Sequence, residues 1–188
     1  MAEIRALTQT DHEDEMIVEG YAVRFDEPAE FEILGKTVRE IIDRSALDNA
    51  DMRDVPFKYN HSNETMIMAR TRSKTLQVTQ DAKGLFIRAS LANTTAGRDL
   101  YELIRRGDVD KMSFAFTVKR DDWDDATLTR RILEIDKLFD VSAVDFPAYD
   151  TTSIYARHAE HIQTMNENIQ DMCDRDIRAR IKIKTNIQ

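Results

Sequence analysis

The chain predicts a strand-dominated α+β fold, a closed or nearly closed β-barrel with surrounding helices. Three observations carry this expectation. Short runs rich in β-branched and aromatic residues recur from Glu15 to Tyr149, separated by turn residues. One segment in the middle of the chain has helical spacing with a start and a stop signal. From Ile154 onward the sequence has no Gly and no Pro and its apolar residues are sparse, which predicts a helical or partly disordered tail. The expected division is a barrel domain over 1–156 and a tail over 157–188.

Taken in order, "EMIVEGYAVRF" (Glu15 to Phe25) reads as a strand with a bulge or bend at Gly20, followed by a turn at "DEPAE". "FEILGKTVREII" reads as two short strands meeting around Gly35 and Lys36. "DRSALDNA" offers Asp43 and Ser45 as caps for a short helical turn. "VPFKYNH" and "TMIMARTRS" are β-like, and "LQVTQDAKGLFIRASL" is a hairpin turning at "DAKG". The helix is "NTTAGRDLYELIRRGD". Thr94 or Thr95 caps it, Leu100, Leu103 and Ile104 form its apolar stripe, Arg105 and Arg106 suit its negative end, and Gly107 stops it. "DVDKMSFAFTV" is the next strand, and "TRRILEID" and "KLFDVSAVDFPAY" read as two more, the second ended by Pro147.

Composition narrows the function. With 27 basic and 35 acidic residues the net charge is −8, which argues against general nucleic-acid binding, because phosphate affinity needs a concentrated basic surface. No apolar run approaches a membrane span, and the N-terminus lacks a signal-peptide core, so a soluble cytosolic product is expected. The single Cys173 permits no internal disulfide and lies in a polar segment. Phosphate-binding glycine loops, paired cysteines and HExxH are absent. His158 and His161 are spaced for a metal but have no evident third ligand, so no cofactor is expected.

The chemistry concentrates on the strand "DVDKMSFAFTV". Strand alternation sends Met112, Phe114, Phe116 and Val118 one way and Ser113, Ala115 and Thr117 the other. The first face is a core face. The second is small and leaves room for something to lie against it. Serine is a poor nucleophile without an imidazole to take its proton, and the imidazole needs a third group to fix its tautomer. Of four histidines only His61, ending "PFKYNH", lies in the β-rich body, where alternation groups it with Phe57 and Tyr59. Asp140 and Asp145 both interrupt an apolar strand, and a buried carboxylate needs a polar partner. The bland alternatives are a structural histidine and acids on the solvent face of an edge strand.

The order "GYAVRFDEP", "FKYNH", "KGLFIRASL", "AGRDLYELIRRGDVDKMSFAF" and "LFDVSAVDFPAY" resembles the prohead proteases of tailed bacteriophages of the HK97 type, over roughly Gly20 to Tyr149. That family is related in fold to the herpesvirus assembly proteases. The resemblance implies a serine endopeptidase packaged inside the immature capsid in the host cytoplasm, which digests scaffolding protein or the scaffold-like arm of the major capsid protein, and itself. It implies Ser113 as nucleophile and His61 as general base. Asp140 matches the position where the phage branch carries an acid. It is preferred to Asp145 because alternation sets it beside Ser142, whereas Asp145 adjoins the strand end. Ala115 stands where many members have a glycine. Oxyanion donors are expected among backbone N–H groups near Ser113. Self-association is compatible with this reading; nucleic-acid and membrane partners are not expected. The rivals are a non-catalytic β-barrel of capsid assembly and an unrelated ligand-binding module.

Overall fold

In the computed structural model, residues 3–6, 15–33, 35–64 and 66–145 are described. The expectations for the tail, for Cys173, His158 and His161, and for Pro147 as a strand terminator lie outside them. The described residues form ten strands and one helix, in order: β1 (Ile4–Ala6), β2 (Ile17–Arg24), β3 (Ala29–Ile33), β4 (Lys36–Ile42), β5 (Pro56–Tyr59), β6 (Ala69–Arg70), β7 (Leu76–Gln80), β8 (Gly84–Ser90), α1 (Thr95–Arg106), β9 (Lys111–Asp124) and β10 (Thr129–Val144). The molecule is thus a strand-dominated α+β protein.

Two sheets share the strands. The smaller has the order β1-β2-β8-β7; the larger runs β3-β4-β10-β5-β6, with β9 paired to β10 on its other side. Their ladders do not merge into one closed barrel. At one seam the sheets meet through the isolated bridge between Glu3 and Lys111 and the bond from Ile4 N–H to the Asp110 carbonyl. At the other, Thr75 N–H donates to the Arg70 carbonyl. The edge strands β1 and β6 have three and two residues, too few to carry a ladder across either seam.

β10 organises the larger sheet. It pairs antiparallel with β9 on one edge; on the other it pairs parallel first with β4, at Thr129–Ile132, and then with β5, at Val141–Ala143. The two strands expected over this stretch are therefore one. Its polar middle, Glu134 to Lys137, is accommodated by bulges rather than by a turn: the β9–β10 register shifts four times between Ile132 and Asp140. Each bulge changes which parity of residue faces inward, so the fully buried Ile132, Ile135, Leu138, Val141 and Ala143 stay on the core side although their spacing is not two throughout. β9 keeps strict alternation from Met112 to Val118, with Met112 and Phe114 buried and Phe116 and Val118 packed against the core.

Local chemistry explains the remaining elements. Thr94 Oγ1 accepts from Gly97 N–H at the start of α1, and Gly107, at φ 82°, ends the helix. The β7–β8 turn is held by Asp81, whose carboxylate accepts from Lys83 and Gly84 N–H. The segment 43–50 forms consecutive turns closed by Ala46, Asp48 and Ala50 N–H, and buries Ala46 and Leu47. "TMIMARTRS" contributes only the two-residue β6. The irregularity of β2 falls between Tyr21 and Val23, not at Gly20. Gly20 serves a close approach instead: a Cβ there would lie 1.9 Å from the carbonyl oxygen of Glu3, the residue before β1.

Candidate active site

β5 ends at Tyr59, and the chain then passes through two left-handed residues, Asn60 at φ 51° and His61 at φ 53°. Asparagine tolerates this conformation; histidine there costs energy and persists only where its surroundings hold it. They do so here. Asn60 N–H donates to the Ala143 carbonyl at 2.9 Å, and Ser62 N–H to the Tyr59 carbonyl at 3.0 Å. The Asn60 side chain exchanges two bonds with Asp145: Nδ2 donates to Oδ2 at 2.9 Å and Oδ1 accepts from Asp145 N–H at 3.1 Å. Tyr59 Oη donates to the other Asp145 oxygen, and burial together with that bond pushes its phenol up to about 12.

These two residues end the strand alternation, so His61 does not share a face with Phe57 as its spacing suggests. Phe57 is fully buried in the core, while the His61 ring lies on the opposite side of the sheet, the side of Lys58, Asp140 and Ser142. His61 Nδ1 donates to Asp140 Oδ1 at 2.6 Å. A ring nitrogen that donates to a carboxylate carries the proton, so whenever the ring holds a single proton Nε2 is the acceptor. Nε2 is buried and has no hydrogen-bond partner among the described residues.

Asp140 reaches this side through the bulge that skips Phe139 between the pairs Leu138↔Phe116 and Asp140↔Ala115. Leu138 is in the core, and strict alternation from it would have sent Asp140 there too. The Asp140 side chain is 7 % exposed. Burial is the largest single influence on it and raises its pKa. The His61 hydrogen bond and charge, the Ser142 hydroxyl and the Lys58 ammonium together outweigh burial and hold it below the ordinary carboxylate value. Ser142 Oγ donates to Asp140 Oδ1 at 2.8 Å and lies 3.3 Å from His61 Nδ1. Lys58 Nζ stands 3.8 Å from Asp140 Oδ2 and donates to Asn63 Oδ1 at 2.7 Å, which ties the strand to the segment after His61.

Ser113 faces Ser142 directly across the β9–β10 ladder, and Ala115 faces Asp140, so β9 presents its small side to the His61 side of β10. This face is less open than the residue sizes suggest. Ser113 is only 4 % exposed, and the face becomes half-buried from Ala115 outward. Asp145, the other acid read from the sequence, makes no hydrogen bond or ion pair with His61 and belongs to the Asn60 clamp. Lys58 and that clamp were not foreseen; an asparagine directly before the histidine, at a strand end, was the available signal. No group of three or more His, Cys, Asp or Glu side chains is arranged to hold a metal among the described residues, and no helix among them is long and apolar enough to cross a membrane.

The family model of caudovirus prohead serine proteases matches residues 2–168. The chain belongs to this family. The prohead protease of Enterobacteria phage HK97 is 29 % identical over 126 residues, which cover 66 % of this chain and 54 % of that protein. The chain thus spans about half the length of the curated relative it matches. No solved structure matches it. The two serines on this face differ in their contacts with the imidazole and its acid. Ser142 lies beside Nδ1, which Asp140 already engages, and its proton goes to that same carboxylate. Ser113 makes neither contact and has no hydrogen bond to Nε2.

Proposed function

We propose that the chain is a serine endopeptidase of prohead maturation, with Ser113 as nucleophile, His61 as general base and Asp140 as the acid that orients the base. The observation that carries this reading is the 2.6 Å bond from His61 Nδ1 to Asp140, with Nε2 left without a partner on the side of the sheet that Ser113 faces. A buried imidazole nitrogen without a partner is costly, and a nitrogen kept for a reacting proton accounts for it. Ser113 attacks the scissile carbonyl and Nε2 takes its proton. Asp140 keeps the proton on Nδ1 and steadies the imidazolium, and water then releases the acyl-enzyme.

The substrate adds as an extended strand along β9, whose edge beyond Lys111 has no ladder partner on the side away from β10 among the described residues. It approaches over Ala115 and Thr117, where the face is half-buried. Backbone N–H groups near Ser113 supply the oxyanion site. The substrate is scaffolding protein or the scaffold-like arm of the major capsid protein, and the enzyme also cuts itself. It works inside the prohead in the host cell, where confinement keeps local substrate concentration high. The segment 157–188 is a separate packaging tail, whose basic end docks on an acidic scaffold.

Co-expression with the capsid or scaffolding protein, with and without Ser113→Ala, followed by intact-mass analysis, tests the reading. Fragments are expected only with Ser113. Uncut substrate in both cases, within shells that contain the chain, would assign it a structural part in assembly.

A further inference from the structure

We propose that Ser142 is a positioning residue of this site, whose hydroxyl holds the Asp140 carboxylate on the His61 ring. The inference rests on the roles of His61 and Asp140 proposed above. Asp140 Oδ1 receives two donors, His61 Nδ1 at 2.6 Å and Ser142 Oγ at 2.8 Å, while Lys58 Nζ stands 3.8 Å from Oδ2. A carboxylate held by one donor can rotate and offer its other oxygen. With a second donor on the same oxygen and a cation beside the opposite one, the oxygen that faces the imidazole is defined.

The position itself argues for this role. Ser142 is fully buried between the core residues Val141 and Ala143, where alanine would satisfy packing, and a buried hydroxyl is retained at no cost only when bonded. Its one proton is committed to Asp140. During proton uptake by His61 the carboxylate must stay ionised, and a hydrogen bond to the charged form favours that. The charged groups that face Asp140 are Lys58 from β5 and His61 from the segment after it; β9 brings only the uncharged Ser113 and Ala115.

Two measurements on the full chain test the assignment. In a Ser113→Ala background, which cannot digest itself on the proposed reading, carboxyl NMR follows the acid titration of Asp140. Adding Ser142→Ala should raise its midpoint toward the ordinary carboxylate range. In the active chain co-expressed with capsid or scaffolding protein, Ser142→Ala should slow cleavage about tenfold, the scale of one hydrogen bond to a charged group. Ser142→Ala/Asp140→Asn should be no slower than Asp140→Asn alone, because the serine acts through the acid. An unmoved Asp140 midpoint, or losses that multiply in the double variant, would overturn the proposal. Cleavage that survives Ser113→Ala would instead overturn the protease reading and leave the NMR result standing.

Discussion

At Asp140, burial works against ionisation and the neighbours work for it, and the neighbours win. Because its pKa in the folded protein lies below the ordinary 3.8, the folded state holds the carboxylate more strongly than the unfolded chain does. The resulting stability is present in full above that ordinary value and is lost as pH falls from it through the lower folded value. Urea unfolding of the wild type and Asp140→Asn should therefore differ most near neutrality and converge below about 3.8. A gap independent of pH would show that Asp140 contributes shape and not charge. On the proposed reading, Asp140→Asn should cost orders of magnitude in cleavage assays, roughly the 10⁴-fold known where an amide replaces a triad carboxylate and imposes the wrong tautomer. The residue types at this site were legible: a serine on a small strand face, the single body histidine and an acid in an apolar strand. Lys58 and the Asn60–Asp145 clamp were not, because a contact between side chains 85 positions apart leaves no periodic trace.

At the scale of elements, bulges and close approaches place what the residues need. The Phe139 bulge turns Asp140 from the core toward His61, and two left-handed residues after β5 turn His61 to meet it. Glycine acts in the same way between β1 and β2. Gly20→Ala would drive a methyl into the Glu3 carbonyl at 1.9 Å, a backbone group that cannot rotate away. The cost should be about 1–3 kcal/mol, the usual range for overpacking. It is measurable as a lower urea midpoint, and hydrogen exchange should show Ile4 and Tyr21 N–H, the bonds flanking that contact, losing protection first. A variant as stable as wild type would mean that β1 shifts freely. Turn and cap signals made the β7–β8 hairpin and α1 readable. They misplaced the β2 irregularity and split β10 in two, because a bulge lets a strand continue through polar residues that otherwise look like its end.

For the whole molecule, one hydrophobic core joins both sheets and supports the site from behind. Ile132, Ile135 and Leu138 of β10 are fully buried, with Met112 of β9 and Leu85 and Ile87 of β8. Leu138→Ala should cost about 2–5 kcal/mol by transfer and cavity terms together, read from denaturant unfolding. Leu138 adjoins the Phe139 bulge, so the His61–Asp140 bond should loosen as well, seen as a weakened downfield His61 Nδ1 proton in NMR. Loss of stability with that resonance unchanged would show that the bulge is set by the backbone alone.

The sequence by itself determined the strand-dominated class, the helix and its caps, the two faces of β9, and which serine, histidine and acid are the candidates for the proposed site. Each of these is written in local spacing or in residue type. Only the tertiary structure decided that β10 is one strand, that two sheets meet at narrow seams, that Asp145 clamps a turn while Asp140 meets the histidine, and that Ser142 and Lys58 flank the pair. Those outcomes depend on register between strands far apart in the chain, and one bulge is enough to reverse the face on which a residue appears.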